Sequence, residues 1–235
     1  MSAPRVLVVR AGEAEASVQA AHGDYPAWFA RALAPHATVA ATVAPFREEA
    51  LPAAPAVDAV LVTGSPLSVR DGAPWMPALG AWTLAQSARL PVLAVCFGHQ
   101  LVAEALGGRV EAHPGGPEWG TVAVDLHPEG RADPLFAGLP RRLIVQGLHR
   151  DHVATLPPPG ALRPLAGNAH TPLQAFAVGP NLRAVQFHPE LRAPVVADLL
   201  ARRDWAPTAP VRQTDHGERI LANWARGLRA APLSR

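Results

Sequence analysis

Residues 91–108 read Pro91-Val92-Leu93-Ala94-Val95-Cys96-Phe97-Gly98-His99-Gln100-Leu101-Val102-Ala103-Glu104-Ala105-Leu106-Gly107-Gly108, and this stretch decides the fold. A short apolar run without polar alternation is the pattern of a strand buried on both faces. A sharp turn at Cys96 follows, then a helix that runs toward the Gly107-Gly108 pair. Cys96 is the only cysteine of the chain and sits on that turn. Sulfur placed where a strand gives way to a helix meets unpaired backbone N–H groups and the positive end of the helix dipole, which stabilise negative charge on it. Cys96 is therefore a candidate nucleophile. The N–H of Phe97 points toward whatever the sulfur attacks and forms half of an oxyanion hole, and Gly98 lets backbone or substrate come close.

The competing reading is a structural cysteine, since free cysteine is among the most buried residue types. A second segment weighs against it. Leu182-Arg183-Ala184-Val185-Gln186-Phe187-His188-Pro189-Glu190 is another strand-like run that ends in a histidine, with a carboxylate two residues on. Attack of a thiol on an acyl carbon needs a base that takes the proton and returns it to the leaving amine, and the base needs a group that fixes its tautomer. Cys96, His188 and Glu190 supply those three roles.

Cys96-Phe97-Gly98-His99-Gln100 fits the C-x-G-x-Q element, and His188-Pro189-Glu190 the H-P-E element, of the class I (triad) glutamine amidotransferases, which this chain resembles. Upstream, Thr63-Gly64-Ser65-Pro66-Leu67-Ser68-Val69 resembles the turn of the GMP synthetase glutaminase domain, usually written S-G-G-P-x-S-V, with Ser65 in place of a glycine. The resemblance implies that the Ser65 backbone N–H is the second oxyanion donor and that Gly64 shapes the turn. It also implies that Gln100 and the segment Glu118-Trp119-Gly120-Thr121 bind the glutamyl group, with Gly98 beside it. Leu148-His149-Arg150-Asp151-His152-Val153 is similar to the family's S-H-x-D-x-V loop, with Leu148 replacing serine. Free-standing gamma-glutamyl peptidases match the pattern at least as well as the synthetase.

Composition fits a compact chain. With 235 residues, 49% of them hydrophobic, it is long enough for one sizeable core, and the expectation is a single domain over 1–235. Only four apolar residues, Val6 to Val9, separate Arg5 from Arg10, too few for the apolar region of a signal peptide, and no run approaches the roughly 18 apolar residues of a membrane span. One cysteine forms no internal disulfide, so a reducing cytoplasm is the expected compartment. The pI is near 9.4, yet the formal net charge is only +2 and every fixed cation is arginine. No dense arginine cluster with interleaved aromatics occurs, which speaks against nucleic acid as a partner. The absence of lysine excludes Schiff-base chemistry and a Walker-type phosphate loop. No cofactor is expected.

Along the chain, strands are expected at 6–9, 59–62, 92–95, 121–124, 143–145 and 184–187, and helices from Asp24-Tyr25-Pro26 toward Leu33 and at 77–88, 193–203 and 218–228. Alternation of this kind implies an α/β fold: a doubly wound, mainly parallel, flavodoxin-like sheet with helices on both faces and the site at the carboxyl ends of the strands. The proline-rich stretches 51–56 and 156–164 read as surface connections. His149-Arg150-Asp151 spells the kinase catalytic-loop tripeptide without the other kinase elements, and His149, Asp151 and His152 lack the spacing of a helical metal site. His99 and the tryptophans Trp75, Trp82 and Trp119 read as packing residues, Trp119 also as a candidate pocket wall.

Three functional readings stand on the sequence. The leading one is a stand-alone hydrolase of glutamine or another gamma-glutamyl small molecule. The second is a glutaminase subunit that delivers ammonia to a separate synthetase in trans, since the chain holds no S-G-G-x-D-S element of an ATP pyrophosphatase. The third is an idle binding or regulatory module.

Overall fold

The computed structural model describes residues 2–230. The elements in chain order are β1 (Arg5–Val9), α1 (Ala16–His22), α2 (Tyr25–Leu33), β2 (Thr38–Val43), β3 (Ala59–Val62), α3 (Trp75–Ser87), β4 (Val92–Val95), α4 (Phe97–Ala105), β5 (Arg109–Ala112), β6 (Glu118–Leu126), α5 (Pro128–Arg131), β7 (Arg142–His149), β8 (Asp151–Thr155), β9 (Arg163–Gly167), β10 (Ala175–Val178), β11 (Leu182–Val185), α6 (Ala193–Arg202) and α7 (His216–Ala230). Nine strands form one sheet in the order β2-β1-β3-β4-β11-β10-β9-β6-β7, and β5 pairs with β8 in a separate ribbon. From β2 to β11 every pairing is parallel; from β11 to β7 every pairing is antiparallel.

The central parallel strands β3 and β4 are apolar and buried at every position because helices cover both faces. Val6, Val8, Leu61, Leu93 and Val95 pack on one face with Phe29 and Leu33 of α2 and Ile220, Leu221 and Trp224 of α7. Their alternates Leu7, Val9, Val60, Val62, Val92 and Ala94 pack on the other with Met76 and Leu79 of α3 and Leu101 and Val102 of α4. A third apolar group, with Ala14, Tyr25, Trp28, Leu191, Val195 and Leu199, lies beside the carboxyl ends of the central strands. Asp24 caps α2 through its carboxylate, which accepts from the Tyr25 N–H, and Pro26 sits in the first turn. Among the described residues no helix is long and apolar enough to cross a membrane.

The expected strands at 59–62 and 92–95 are β3 and β4, and those at 121–124 and 143–145 are the centres of the longer β6 and β7. The expected strand at 184–187 ends two residues sooner, at Val185, because Gln186 and Phe187 turn out of the ladder. The stretch 156–164 is a connection only as far as Leu162, since Arg163 opens β9. Strands β2, β5, β8 and β9 carry no apolar run long enough to stand out in the sequence, and β2 is largely exposed at the sheet edge; β10, Ala175-Phe176-Ala177-Val178, is an apolar run as long as β3 and is not among the expected strands.

Candidate active site

Cys96 follows β4 directly and is the N-cap of α4. Its φ of 51° and ψ of −99° put a non-glycine residue in a sparsely populated region of backbone space. Such a conformation costs on the order of 1–3 kcal/mol and persists only where the surroundings impose it. Here the Cys96 N–H donates to the Val185 carbonyl of β11 at 2.8 Å, and its carbonyl accepts from Gln100 N–H at 3.1 Å. The turn stands the side chain at the carboxyl end of β4, and Phe97, at the first position of α4, has an N–H with no partner inside the helix. Gly98 packs closely: a Cβ there would lie 3.1 Å from the Val62 carbonyl oxygen and side chain, so glycine lets α4 settle tightly on the end of β3.

His188 comes from the next strand over. After β11 its N–H donates to the Gln146 carbonyl at 2.8 Å, an isolated bridge to β7 that fixes the ring beside Cys96. Its Nδ1 hydrogen-bonds Glu190 Oε1 at 2.7 Å, and both side chains are buried. Burial alone would lower the imidazole, but the charge of Glu190, then the charge and hydrogen bond of Cys96, outweigh it and hold His188 well above its ordinary 6.5. The imidazolium is thus stabilised between a sulfur and a carboxylate. Glu190 Oε2 has no hydrogen-bond partner among the described residues, so its grip on the ring rests on one oxygen.

The turn after β3 closes the third side. Thr63 Oγ1 accepts from the Ala11 N–H at 3.0 Å and donates to the Gly64 carbonyl at 2.8 Å, while Ser65 Oγ accepts from the Leu67 N–H at 3.1 Å. A Cβ at Gly64 would stand 2.8 Å from His188 Cε1 and 3.5 Å from Cys96 Cβ. Glycine is what allows this turn to approach the Cys96 and His188 side chains.

A cavity of about 90 Å³ opens against Ser65, Phe97 and His188, with Gln100, Trp119 and Trp205 among its walls. Gln100 reaches it, but its Nε2 also donates to the Asp151 carbonyl at 2.9 Å and to Gln186 Oε1 at 3.1 Å. Gln186 in turn points its Nε2 at Cys96 Sγ, 3.6 Å away. Glu118 faces away from the cavity. Its carboxylate accepts from Asn168 at 2.7 Å and Gln174 at 2.6 Å, and pairs with His149 Nε2 at 2.9 Å. Burial alone would raise the carboxyl, yet these hydrogen bonds, led by His149, hold it below its ordinary value.

Trp119 is placed by a segment that sequence patterns leave unmarked, residues 205–216. Thr208 Oγ1 accepts from Trp119 N–H at 2.8 Å and donates to its carbonyl at 2.9 Å, and the Ala209 N–H reaches the same carbonyl at 3.1 Å. Further on, Arg212 N–H donates to Thr121 Oγ1 at 2.7 Å and Thr214 Oγ1 to the Ile144 carbonyl at 2.8 Å. Gly120 belongs to this seam: its φ is 117°, and a Cβ would lie 2.0 Å from the Ala209 carbonyl oxygen. The segment brings Trp205 face to face with Trp119, ring centroids 4.3 Å apart and planes 8° from parallel.

Tyr25, the only tyrosine of the chain, is also a wall of the cavity, and a Cβ at Gly64 would touch its ring at 3.5 Å. Burial first, then the charges of Cys96 and Glu190, raise its hydroxyl far above the usual range, so it stays neutral beside the pair. Only its solitary occurrence could have drawn attention to it in the sequence. His99 is a packing residue: buried, 4.7 Å from the Phe176 ring, and held neutral by burial with a value near 3. His113 stacks on His170 at 3.8 Å and meets His152 edge-on at 4.4 Å, but among the described residues no three His, Cys, Asp or Glu side chains are arranged to hold a metal ion.

The turn that carries Cys96, the His188–Glu190 pair and the facing Gly64 turn lie together at the carboxyl ends of three neighbouring strands, where the C-x-G-x-Q and H-P-E resemblance leads them to be expected. The sequence model of the glutamine amidotransferase class-I family matches residues 25–198, and the chain belongs to that family. It is 39% identical over 144 residues to GMP synthase (glutamine-hydrolyzing) of Thermomicrobium roseum, a match that covers 61% of this chain and 25% of that protein. It is 34% identical over 136 residues to one of the subunits of GMP synthase (glutamine-hydrolyzing) from Saccharolobus solfataricus, covering 57% of this chain and 68% of that relative. The chain thus spans about a quarter of the length of the single-chain GMP synthases it matches. In fold it is similar to a glutamine amidotransferase from Methylobacillus flagellatus, with a TM-score of 0.74, 23% identity and 96% of each chain covered. A glutamine amidotransferase from Thermotoga maritima superposes with a TM-score of 0.70, 20% identity and 97% of each chain covered.

Proposed function

We propose that the protein hydrolyses a gamma-glutamyl amide, glutamine or a gamma-glutamyl compound, through a glutamyl thioester on Cys96, and that it does so without a partner. The observation that carries this reading is the buried His188 held at 2.7 Å by Glu190, its imidazolium favoured by the sulfur on its other side. Sulfur, its proton held by His188, attacks the amide carbon. The oxyanion lies between the backbone N–H groups of Phe97 and Ser65, with Gly64 leaving the space. His188 returns the proton to the departing nitrogen as the C–N bond breaks, and the amine leaves. Water, deprotonated by His188, then attacks the thioester, and glutamate departs with the thiol restored. Glu190 fixes the ring through Nδ1 throughout. Gln100 and Trp119 face the substrate; Glu118, Gly98 and Gly120 support the walls that do.

A second reading is a glutaminase subunit that hands ammonia to a separate synthetase, and the likeness to a GMP synthase built from separate subunits supports it. An idle module fits less well, because relaxed selection gives no reason to keep a positive-φ cysteine opposite a paired histidine. The deciding experiment incubates the purified protein with glutamine and with gamma-glutamyl dipeptides and measures ammonia, amine and glutamate. Turnover of at least one compound at about 1–10³ s⁻¹, the usual enzyme range, is expected. Slow cleavage of all of them, accelerated many-fold by a co-purifying synthetase, favours the second reading.

A further inference from the structure

Arg203, which lines the cavity, and two other arginines of neighbouring turns have carboxylate partners. Arg70 pairs with Asp151 at 3.2 Å, Arg203 with Glu15 at 2.7 Å, and Arg10 with Asp24 at 2.7 Å. Arg150 differs. It lines the cavity at the bend between β7 and β8, and among the described residues its guanidinium makes no ion pair and no hydrogen bond. Its Cζ lies 5.9 Å from the centroid of the Trp205 ring. The same ring lies 4.6 Å from Arg203 Cζ and is stacked on Trp119.

Cation–π attraction keeps a guanidinium over an indole, but two guanidinium groups near one ring repel each other, and only that of Arg203 is neutralised. Protein carboxylates do not answer this need. Asp151 is taken by Ser68 and Arg70, and Glu118 by His149, Asn168 and Gln174. The planar fork of arginine suits a carboxylate through two parallel hydrogen bonds. Arg150 and His188 line the same cavity, and the Leu148 carbonyl, two residues before Arg150, lies 4.0 Å from Cys96 Sγ. In a glutamyl chain the α-carboxylate lies roughly 5 Å from the carbon under attack, given carbon–carbon bonds of about 1.5 Å.

We propose that Arg150, seated over Trp205, binds a carboxylate of the substrate and selects acidic gamma-glutamyl compounds. This rests on the hydrolase reading above. Arg150 occupies the variable position of the S-H-x-D-like segment, so the feature belongs to this chain's own residues. The carboxylate has two possible sources with the same chemistry: the α-carboxylate of the glutamyl group, or one carried by the leaving amine.

The test compares wild type with Arg150→Met and Arg150→Lys. The side chain is exposed and unbonded, so equal melting temperatures are expected and serve as the folding control. Cys96 is alkylated with a chloroketone shaped like L-glutamine, with the same reagent lacking its α-carboxylate, and with iodoacetamide. Hydrolysis of gamma-glutamylglycine is compared with that of gamma-glutamyl methylamide. Arg150→Met is expected to slow the carboxylate-bearing reagent, or to raise KM for gamma-glutamylglycine alone, by about 10- to 100-fold, the usual worth of a charge-assisted hydrogen bond. The first outcome assigns the α-carboxylate, the second the leaving amine. Iodoacetamide and the decarboxylated reagent should react unchanged, and Arg150→Lys should recover part of the loss. An equal loss with every reagent, or no loss with any carboxylate compound, overturns the proposal. A wild type that no glutamyl reagent labels overturns the hydrolase reading and this proposal with it, whereas a labelled wild type with an indifferent Arg150→Met overturns only this proposal.

Discussion

In the parallel half of the sheet, Gly64, Cys96 and His188 each lie within three residues of the end of β3, β4 or β11, so the strand ladder itself sets their relative positions. In the antiparallel half, β6 and β7 supply a wall whose tryptophan is placed by Thr208, 89 positions away along the chain. The contrast separates two kinds of precision. Cys96 and His188 are fixed by short stretches of chain and backbone hydrogen bonds at the strand ends; the Trp119 wall is fixed by side-chain bonds from a distant segment. Damage to the first half should therefore remove chemistry, and damage to the second should change what is bound.

The largest effect is expected at His188. His188→Ala should reduce kcat by about 10⁴-fold or more, the scale on which triad members act, while Glu190→Gln leaves a measurable remainder because orienting the base is worth less than being it. Steady-state release of glutamate from the preferred gamma-glutamyl compound measures both. If His99→Ala proved the more damaging change, the division between reacting and packing histidines would fail.

Gly64→Ala comes next. The added methyl, 2.8 Å from His188 Cε1, must displace the ring. An ångström of misplacement at a reacting group costs about 10²-fold, so kcat/KM should fall by that order with little change in melting temperature. Near-normal activity would mean that the turn after β3 stands farther from the reacting pair than the parallel half requires.

How much of this was legible follows the same division. The apolar runs at β3 and β4, the capped start of α2 and the C-x-G-x-Q and H-P-E elements could be read because their meaning is local: a buried strand, a cap, a turn. Gln186 was visible as part of a strand end, but nothing in its neighbours shows that it accepts from Gln100 and turns its own amide toward Cys96. The roles of Glu118 and Gly120 were legible only by resemblance, and that placed them near the substrate. Their actual neighbours, His149 and Ala209, come from distant segments that no local pattern announces. Trp205 was invisible for the same reason, lying in a stretch with neither helical nor strand period.

The smallest effect is expected in the antiparallel wall. Thr208→Val keeps the shape and removes the two side-chain hydrogen bonds to Trp119 while the backbone N–H bonds of Thr208 and Ala209 to its carbonyl remain, which should lower stability by about 1 kcal/mol. KM should rise a few-fold through the loosened Trp119–Trp205 stack, and kcat should hold. A fall in kcat with KM unchanged would show that this wall takes part in the chemistry, and the contrast between the halves would dissolve.

The central claim is that Cys96 is a nucleophile seated in a glutamyl pocket. The direct measurement is the intact mass of the protein after exposure to a diazo-ketone analogue of glutamine, with and without excess gamma-glutamyl substrate. One adduct per chain, slowed by the substrate and absent from Cys96→Ser, is the predicted result. A wild type that stays unlabelled under conditions that label a known amidotransferase would contradict it.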